Sequence, residues 1–251
     1  RQLASSTYQG QGPDEITIIG HVGIDETNRR FFVSDHGKLK IFAYDLDSVL
    51  TTPEYQPSVK IDMKKKLFPD DYLYLNDTLC IAKIIEPIGN NDYKPSVARW
   101  NMATGEINPM PYEYPDLKKV RFIYTASAEH QLYVQCYTQY DLMTICDFNG
   151  NLKCNIYGPK WVNEKTQTQH YSLGVEFCGD KILALYSGGD HRTDAYYPTK
   201  FLVFDLNGNY LKTLETGYMI TDFCYDKENN RLIINLNDEI QFAYLDLEGI
   251  I

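Results

Sequence analysis

The sequence predicts an all-β chain, a β-propeller built from four-stranded antiparallel blades. Three observations carry this. A strand-turn-strand pattern recurs five times, its closing polar residues fall at a period near fifty, and no window shows apolar residues at helical spacing. The closing residues Asp45, Asn101, Asp147, Asp205 and Asp246 are separated by 56, 46, 58 and 41 residues. A β-sandwich also has strands and turns, but it gives no reason for such a period. One domain spanning 1–251 is the expectation.

The clearest copy is the stretch 200–212. Phe201-Leu202-Val203-Phe204 is an apolar run, Asp205-Leu206-Asn207-Gly208-Asn209 has turn chemistry, and Tyr210-Leu211-Lys212 begins a second run. Glycine reaches positive φ without steric cost and Asp and Asn bond the local backbone, so the stretch reads as a hairpin.

The first unit runs from Val22-Gly23-Ile24-Asp25 through Phe31-Phe32-Val33-Ser34-Asp35 to the run ending at Asp45. The second comprises 72–75, 79–85 and 97–100 before Asn101; the third comprises 122–126, 131–137 and 142–148 before Asn149-Gly150. The fourth has 173–177, 182–186 and 201–204, and the fifth has 220–225, 231–236 and 240–245. That last unit lacks a fourth strand. Segment 1–8 is the expected closing strand, since a terminus that completes a blade removes an exposed sheet edge.

Composition excludes several classes. With 43% hydrophobic and 23% charged residues the chain can bury a core, and a net charge of −10 argues against nucleic acid as a partner. Lys64-Lys65-Lys66 is the only basic run and reads as a solvated edge. No apolar stretch approaches the roughly 20 residues that span a bilayer, so no membrane span is expected. The six cysteines form no Cys-x-x-Cys pair. Cys178 and Cys224 occupy matching places and are expected to be small core residues, while Cys136 and Cys146 could face each other across adjacent strands as a disulfide.

The segment Gln9-Gly10-Gln11-Gly12-Pro13-Asp14-Glu15-Ile16, followed by Gly23-Ile24-Asp25 and Phe32-Val33-Ser34-Asp35, resembles the glycine-rich signature of TolB-like and NHL-like propellers. In particular it is similar to a TolB-like family of Bacteroidetes envelope proteins. The resemblance implies six blades, a secreted lipoprotein anchored upstream of this chain, a periplasmic or cell-surface location, and no defined activity. Ile16 departs from the family's usual Phe, and five units are visible rather than six. No helix follows the glycines to hold an anion, so they read as close-packing residues, with Pro13 fixing the turn.

Function, if local, belongs on the long connections 86–95, 109–121, 157–171 and 187–198. The last carries Asp190, His191, Arg192 and Tyr196, in which an Arg fork can bind a carboxylate or phosphate and tyrosine rings can stack on a sugar. Trp161, His170 and Tyr171 sit on the preceding connection, and Tyr112 and Glu113 on the one before. The same residues also read as exposed polar loops with packed tyrosines. The five histidines show no ligand spacing, and no Gly-x-Ser-x-Gly elbow is present. The expectation is a non-enzymatic binding or scaffold module that recognises a protein or glycan, without a cofactor. The alternative is a hydrolase or lyase acting on sugars or lactones, in which Glu86, Asp92, Glu113 and Asp190 converge and admit Ca²⁺.

Overall fold

The computed structural model describes residues 10, 12, 15–52, 54–89 and 92–251. The expected closing strand at 1–8 and the turn at Pro13 lie outside the described residues. The chain divides into two compact units, Arg1–Met110 and Pro111–Ile251.

The first unit holds two four-stranded antiparallel sheets whose strand order follows the chain. One comprises β1 (Ile19–Asp25), β2 (Arg30–Asp35), β3 (Lys40–Asp45) and β4 (Ser58–Asp62); the other comprises β5 (Phe68–Asn76), β6 (Leu79–Gly89), β7 (Asp92–Asn101) and β8 (Glu106–Pro109). Phe32, Ile41 and Met63 of the first sheet and its flank pack against Tyr72, Ile84 and Trp100 of the second. Trp100 and Tyr72 meet edge to face with centroids 5.2 Å apart.

Two expectations change in this unit. Asp45 was to close a turn, but its Oδ1 accepts the Ser48 N–H at 2.8 Å and caps a short helix α1 (Leu46–Thr51) inserted before β4. An apolar stripe is not needed for so short a helix, because the cap alone satisfies a free N–H of its first turn. Connection 86–95 is largely strand, with β6 and β7 extended as a ribbon to Gly89 and from Asp92.

The glycine-rich signature acquires a physical meaning here. Asp35 is fully buried, and its carboxylate accepts the backbone N–H groups of Thr17 (2.8 Å), Ile18 (3.1 Å), Gly37 (2.9 Å) and Lys38 (3.1 Å). Burial pushes its pKa up, and these four bonds outweigh burial and hold it below the usual carboxylate value. The Lys38 ammonium donates to the carbonyls of Gly12 and Glu15. One carboxylate thus joins the segment after the glycines to the β2–β3 turn.

The second unit holds three sheets. They are β9 (Phe122–Ser127) to β12 (Leu152–Tyr157) with β10 (Leu132–Tyr137) and β11 (Leu142–Asp147); β13 (Thr168–Cys178) to β16 (Tyr210–Glu215) with β14 (Lys181–Asp190) and β15 (Lys200–Asp205); and β17 (Ile220–Asp226), β18 (Arg231–Leu236) and β19 (Phe242–Asp246). The third of these has three strands among the described residues. Val134, Cys136, Met143 and Ile145 pack against Tyr171, Val175 and Ile182, and Leu183 and Phe201 pack against Phe223, Leu232 and Ile234. Each sheet therefore buries a face against its neighbour in this unit, as propeller blades do.

Two turn devices repeat. Asp205 Oδ1 accepts Asn207 N–H at 2.9 Å and Asn209 N–H at 2.8 Å, and Asp147 Oδ1 accepts Asn149 N–H at 2.8 Å and Asn151 N–H at 2.9 Å. Gly208 sits at φ +84°, as the hairpin reading requires. Between first and second strands, Asp25 binds Asn28 and Arg30, and Asp226 binds Asn229 and Arg231.

The cysteines correct the sequence reading. Cys136 pairs in register with Met143 and Cys146 with Tyr133, which puts them on opposite faces of one sheet, and both are free thiols. Successive strand residues alternate faces, so no disulfide can join them. Cys178 is buried as expected, whereas Cys224 is exposed. The same face of β17 to β19 also exposes Phe242 and Tyr244.

Candidate functional site

Asp141 organises the site from the turn that leads into β11. It is 1% exposed, its carbonyl accepts Gly158 N–H at 2.8 Å, and its Oδ2 accepts Lys160 N–H at 2.9 Å. A Cβ on Gly158 would fall 2.2 Å from the carboxylate, so only glycine allows this approach. The docked turn closes with Trp161 N–H on the Gly158 carbonyl at 3.1 Å, which aims the indole at a set of tyrosines.

Trp161 lies 5.0 Å from Tyr157, 5.8 Å from Tyr114 and 6.3 Å from Tyr140 between ring centroids. The Tyr114 and Tyr157 hydroxyls are 3.3 Å apart, and this bond, with burial second, raises Tyr114 to about 12. Tyr140 is buried and holds connection 109–121 in place, donating to the Lys118 carbonyl at 2.8 Å. The Tyr112 hydroxyl accepts from Asn155 Nδ2 at 2.8 Å, and Asn155 Oδ1 accepts from Thr144 at 2.7 Å. Tyr157 is 50% exposed, so this aromatic cluster reaches the surface.

Behind it lies a buried polar centre. His170 Nδ1 is 3.3 Å from the Tyr186 hydroxyl and 3.7 Å from Asp141 Oδ1, and its Nε2 is 3.5 Å from the Thr166 hydroxyl. Burial lowers the His170 pKa against the pull of Asp141, which leaves the ring neutral at pH 7. Burial, with the Asp141 charge second, raises Tyr186 far above a free phenol. Between the centre and the surface is a cavity of about 370 Å³, lined among others by Asp141, Tyr157, Tyr171, Tyr186, Lys200 and Tyr210. That is within the range of small-ligand pockets.

The residues singled out from the sequence divide into three groups. Tyr112 and Trp161 join the aromatic cluster region, and Glu113 is an exposed neighbour of Tyr112 in the chain. His170 and Tyr171 are not on an exposed crossing: β13 begins at Thr168, and both are buried. Asp190, His191, Arg192 and Tyr196 form a local set of their own. Arg192 is exposed and pairs its fork with Asp190, Nε to Oδ1 at 3.0 Å and Nη2 to Oδ2 at 2.6 Å. That bond holds Asp190 well below the usual carboxylate range. His191 Nδ1 bonds the Gln167 carbonyl at 2.9 Å, and Tyr196 stacks on Tyr197 at 4.3 Å.

Asp141, Tyr157, Tyr186, Lys200 and Tyr210 escaped the sequence reading as site residues. Tyr186 lies within β14 and the others at or beside strand ends, where long-loop length is no guide; the only local signal is Gly158 directly after a strand. Among the described residues, no group of three or more His, Cys, Asp or Glu side chains is placed to hold a metal ion.

Comparison with known proteins bears on the fold. A family model described as a 6-bladed beta-propeller matches residues 7–78. No curated protein matches. Two crystal structures of the extracellular domain of BT4673 from B. thetaiotaomicron, described in one as a one component system and in the other as a hybrid two component system, are similar at 12% identity. Their TM-scores are 0.59 and 0.56; 96% and 95% of this chain align with 29% and 28% of theirs. The chain thus spans under a third of those proteins' length. A chain of a crystallised nidogen/laminin complex is similar at 11% identity and TM-score 0.58, over 92% of this chain and 76% of that one. These likenesses show a β-propeller; the family description counts six blades, and five sheets stand among the described residues.

Proposed function

We propose that this chain is a non-enzymatic recognition module that works outside the cytoplasm and presents the Tyr114–Tyr157–Trp161 cluster to a protein or glycan partner. The single observation that carries this is an edge-to-face aromatic set that reaches the surface at Tyr157 while its indole is aimed from behind by the Asp141-docked turn. Aromatic rings held rigid in this way lose little conformational entropy on binding and stack on flat apolar faces, including those of sugars. A location in the cell envelope, with a lipid anchor ahead of the chain, belongs to the same reading. It is supported by the likeness to TolB-like envelope propellers and by the extracellular structures of similar fold. No helix among the described residues is long and apolar enough to cross a membrane.

The test is a glycan array together with a pull-down from envelope extract, comparing the wild type with Trp161→Ala and with Tyr196→Ala as a control outside the cluster. Loss of signal in Trp161→Ala alone supports the cluster. Equal signals from all three proteins discard it.

A further inference from the structure

The cavity contains an unfinished hydrogen-bonding arrangement. Asp141 Oδ2 is satisfied by the Lys160 N–H, whereas the buried Oδ1 has no partner in good hydrogen-bonding geometry, although the Tyr186 hydroxyl lies beside the carboxylate. The nearest ring nitrogen, His170 Nδ1, is 3.7 Å away and turned to the Tyr186 hydroxyl at 3.3 Å. A buried carboxylate oxygen with no donor is costly, and a charged donor satisfies it best. Lys200 does not supply that charge: its Nζ sits 5.8 Å over the Tyr186 ring and 3.8 Å from Glu215.

The rest of the wall narrows the ligand. Ile156, Pro159, Leu202 and Phe204 offer no polar side-chain partner, the Thr213 hydroxyl is paired with that of Tyr210 at 2.8 Å, and Tyr157, Tyr171, Tyr186 and Tyr210 contribute aromatic rings, of which Tyr186 already has Lys200 over it. A sugar ring carries hydroxyls around its rim and would leave several unpaired against the aliphatic side. An ammonium on an apolar body places its one charged group at Asp141, is attracted by tyrosine π-faces, and buries the remainder. We propose that this cavity binds a small organic amine, a primary ammonium on an aryl or alkyl body, with its N–H donated to Asp141 Oδ1. The net charge of −10 favours the approach of a cation. The cavity shares Asp141 and Tyr157 with the outer cluster, but amine binding in it does not depend on what that cluster recognises.

The experiment is a calorimetric or NMR titration of the chain with phenethylammonium, against phenethyl alcohol as the neutral isostere and a panel of monosaccharides. The expected result is saturable amine binding at least about tenfold tighter than the alcohol, the scale of one charge-assisted hydrogen bond. Asp141→Asn should bring amine and alcohol to the same affinity. Tyr210→Ala, at an exposed part of the wall, should weaken the amine several-fold while leaving the fold intact, and it carries the test if Asp141→Asn unfolds. Equal binding of amine and alcohol, no saturable amine binding, or preference for a sugar would each overturn the assignment. A chain that binds the amine but fails on the glycan array and pull-down loses only the outer-cluster reading.

Discussion

Replacing Asp35 tests whether one carboxylate fastens the glycine-rich signature to the first sheet. Its Oδ1 accepts three backbone N–H groups, from Ile18, Gly37 and Lys38, and its Oδ2 accepts a fourth from Thr17. Asp35→Ala strands all four. Each buried unsatisfied N–H costs about 1–3 kcal/mol, but the turn can partly rehydrate, so a net loss of about 3–5 kcal/mol is expected. Asp35→Asn can keep three acceptances through its oxygen while its amide opposes the Thr17 N–H, and about 1–3 kcal/mol is expected. The assay is urea unfolding followed by circular dichroism, with far-UV spectra checking the fold. Because folding lowers the Asp35 pKa, its contribution is present above the unfolded value near 4 and fades as pH drops through the folded value. The difference between wild type and Asp35→Ala should therefore shrink in acid. A loss under about 1 kcal/mol at neutral pH would refute the reasoning.

Other outcomes follow from the same structure. Burial lowers the His170 pKa, so between the folded and unfolded values the unfolded chain binds more protons, and stability should fall as pH drops below about 6.5; thermal melts of His170→Gln should lack that part of the acid loss. Gly208→Ala should destabilise by about 1–2 kcal/mol or more in chemical denaturation, since φ is +84° and the added Cβ would stand 2.8 Å from Cys154 Sγ. Thiol labelling of the native chain should modify exposed Cys224 first and leave buried Cys136 and Cys178 unreacted until denaturant is added; loss of the fast phase in Cys224→Ser checks the assignment.

Strand positions and turns were legible in the sequence because each is a local property. The run at Phe201 to Phe204 and the Asp205-Leu206-Asn207-Gly208-Asn209 turn form where the apolar run and turn chemistry put them, and Asp147 repeats the same bonds four strands earlier. The sequence by itself thus determined an all-β chain of repeated sheets with polar, glycine-bearing turns. The tertiary structure decided which polar groups lose their water. His170 and Tyr171 looked like loop residues until β13 carried them inside, and the Arg192 fork pairs with Asp190 two residues away. Asp141 and Tyr186 lie 45 positions apart in the chain, and only packing between the sheets of β9–β12 and β13–β16 walls them into one cavity. Burial and hydrogen-bond satisfaction depend on contacts distant in sequence, and no local pattern records them.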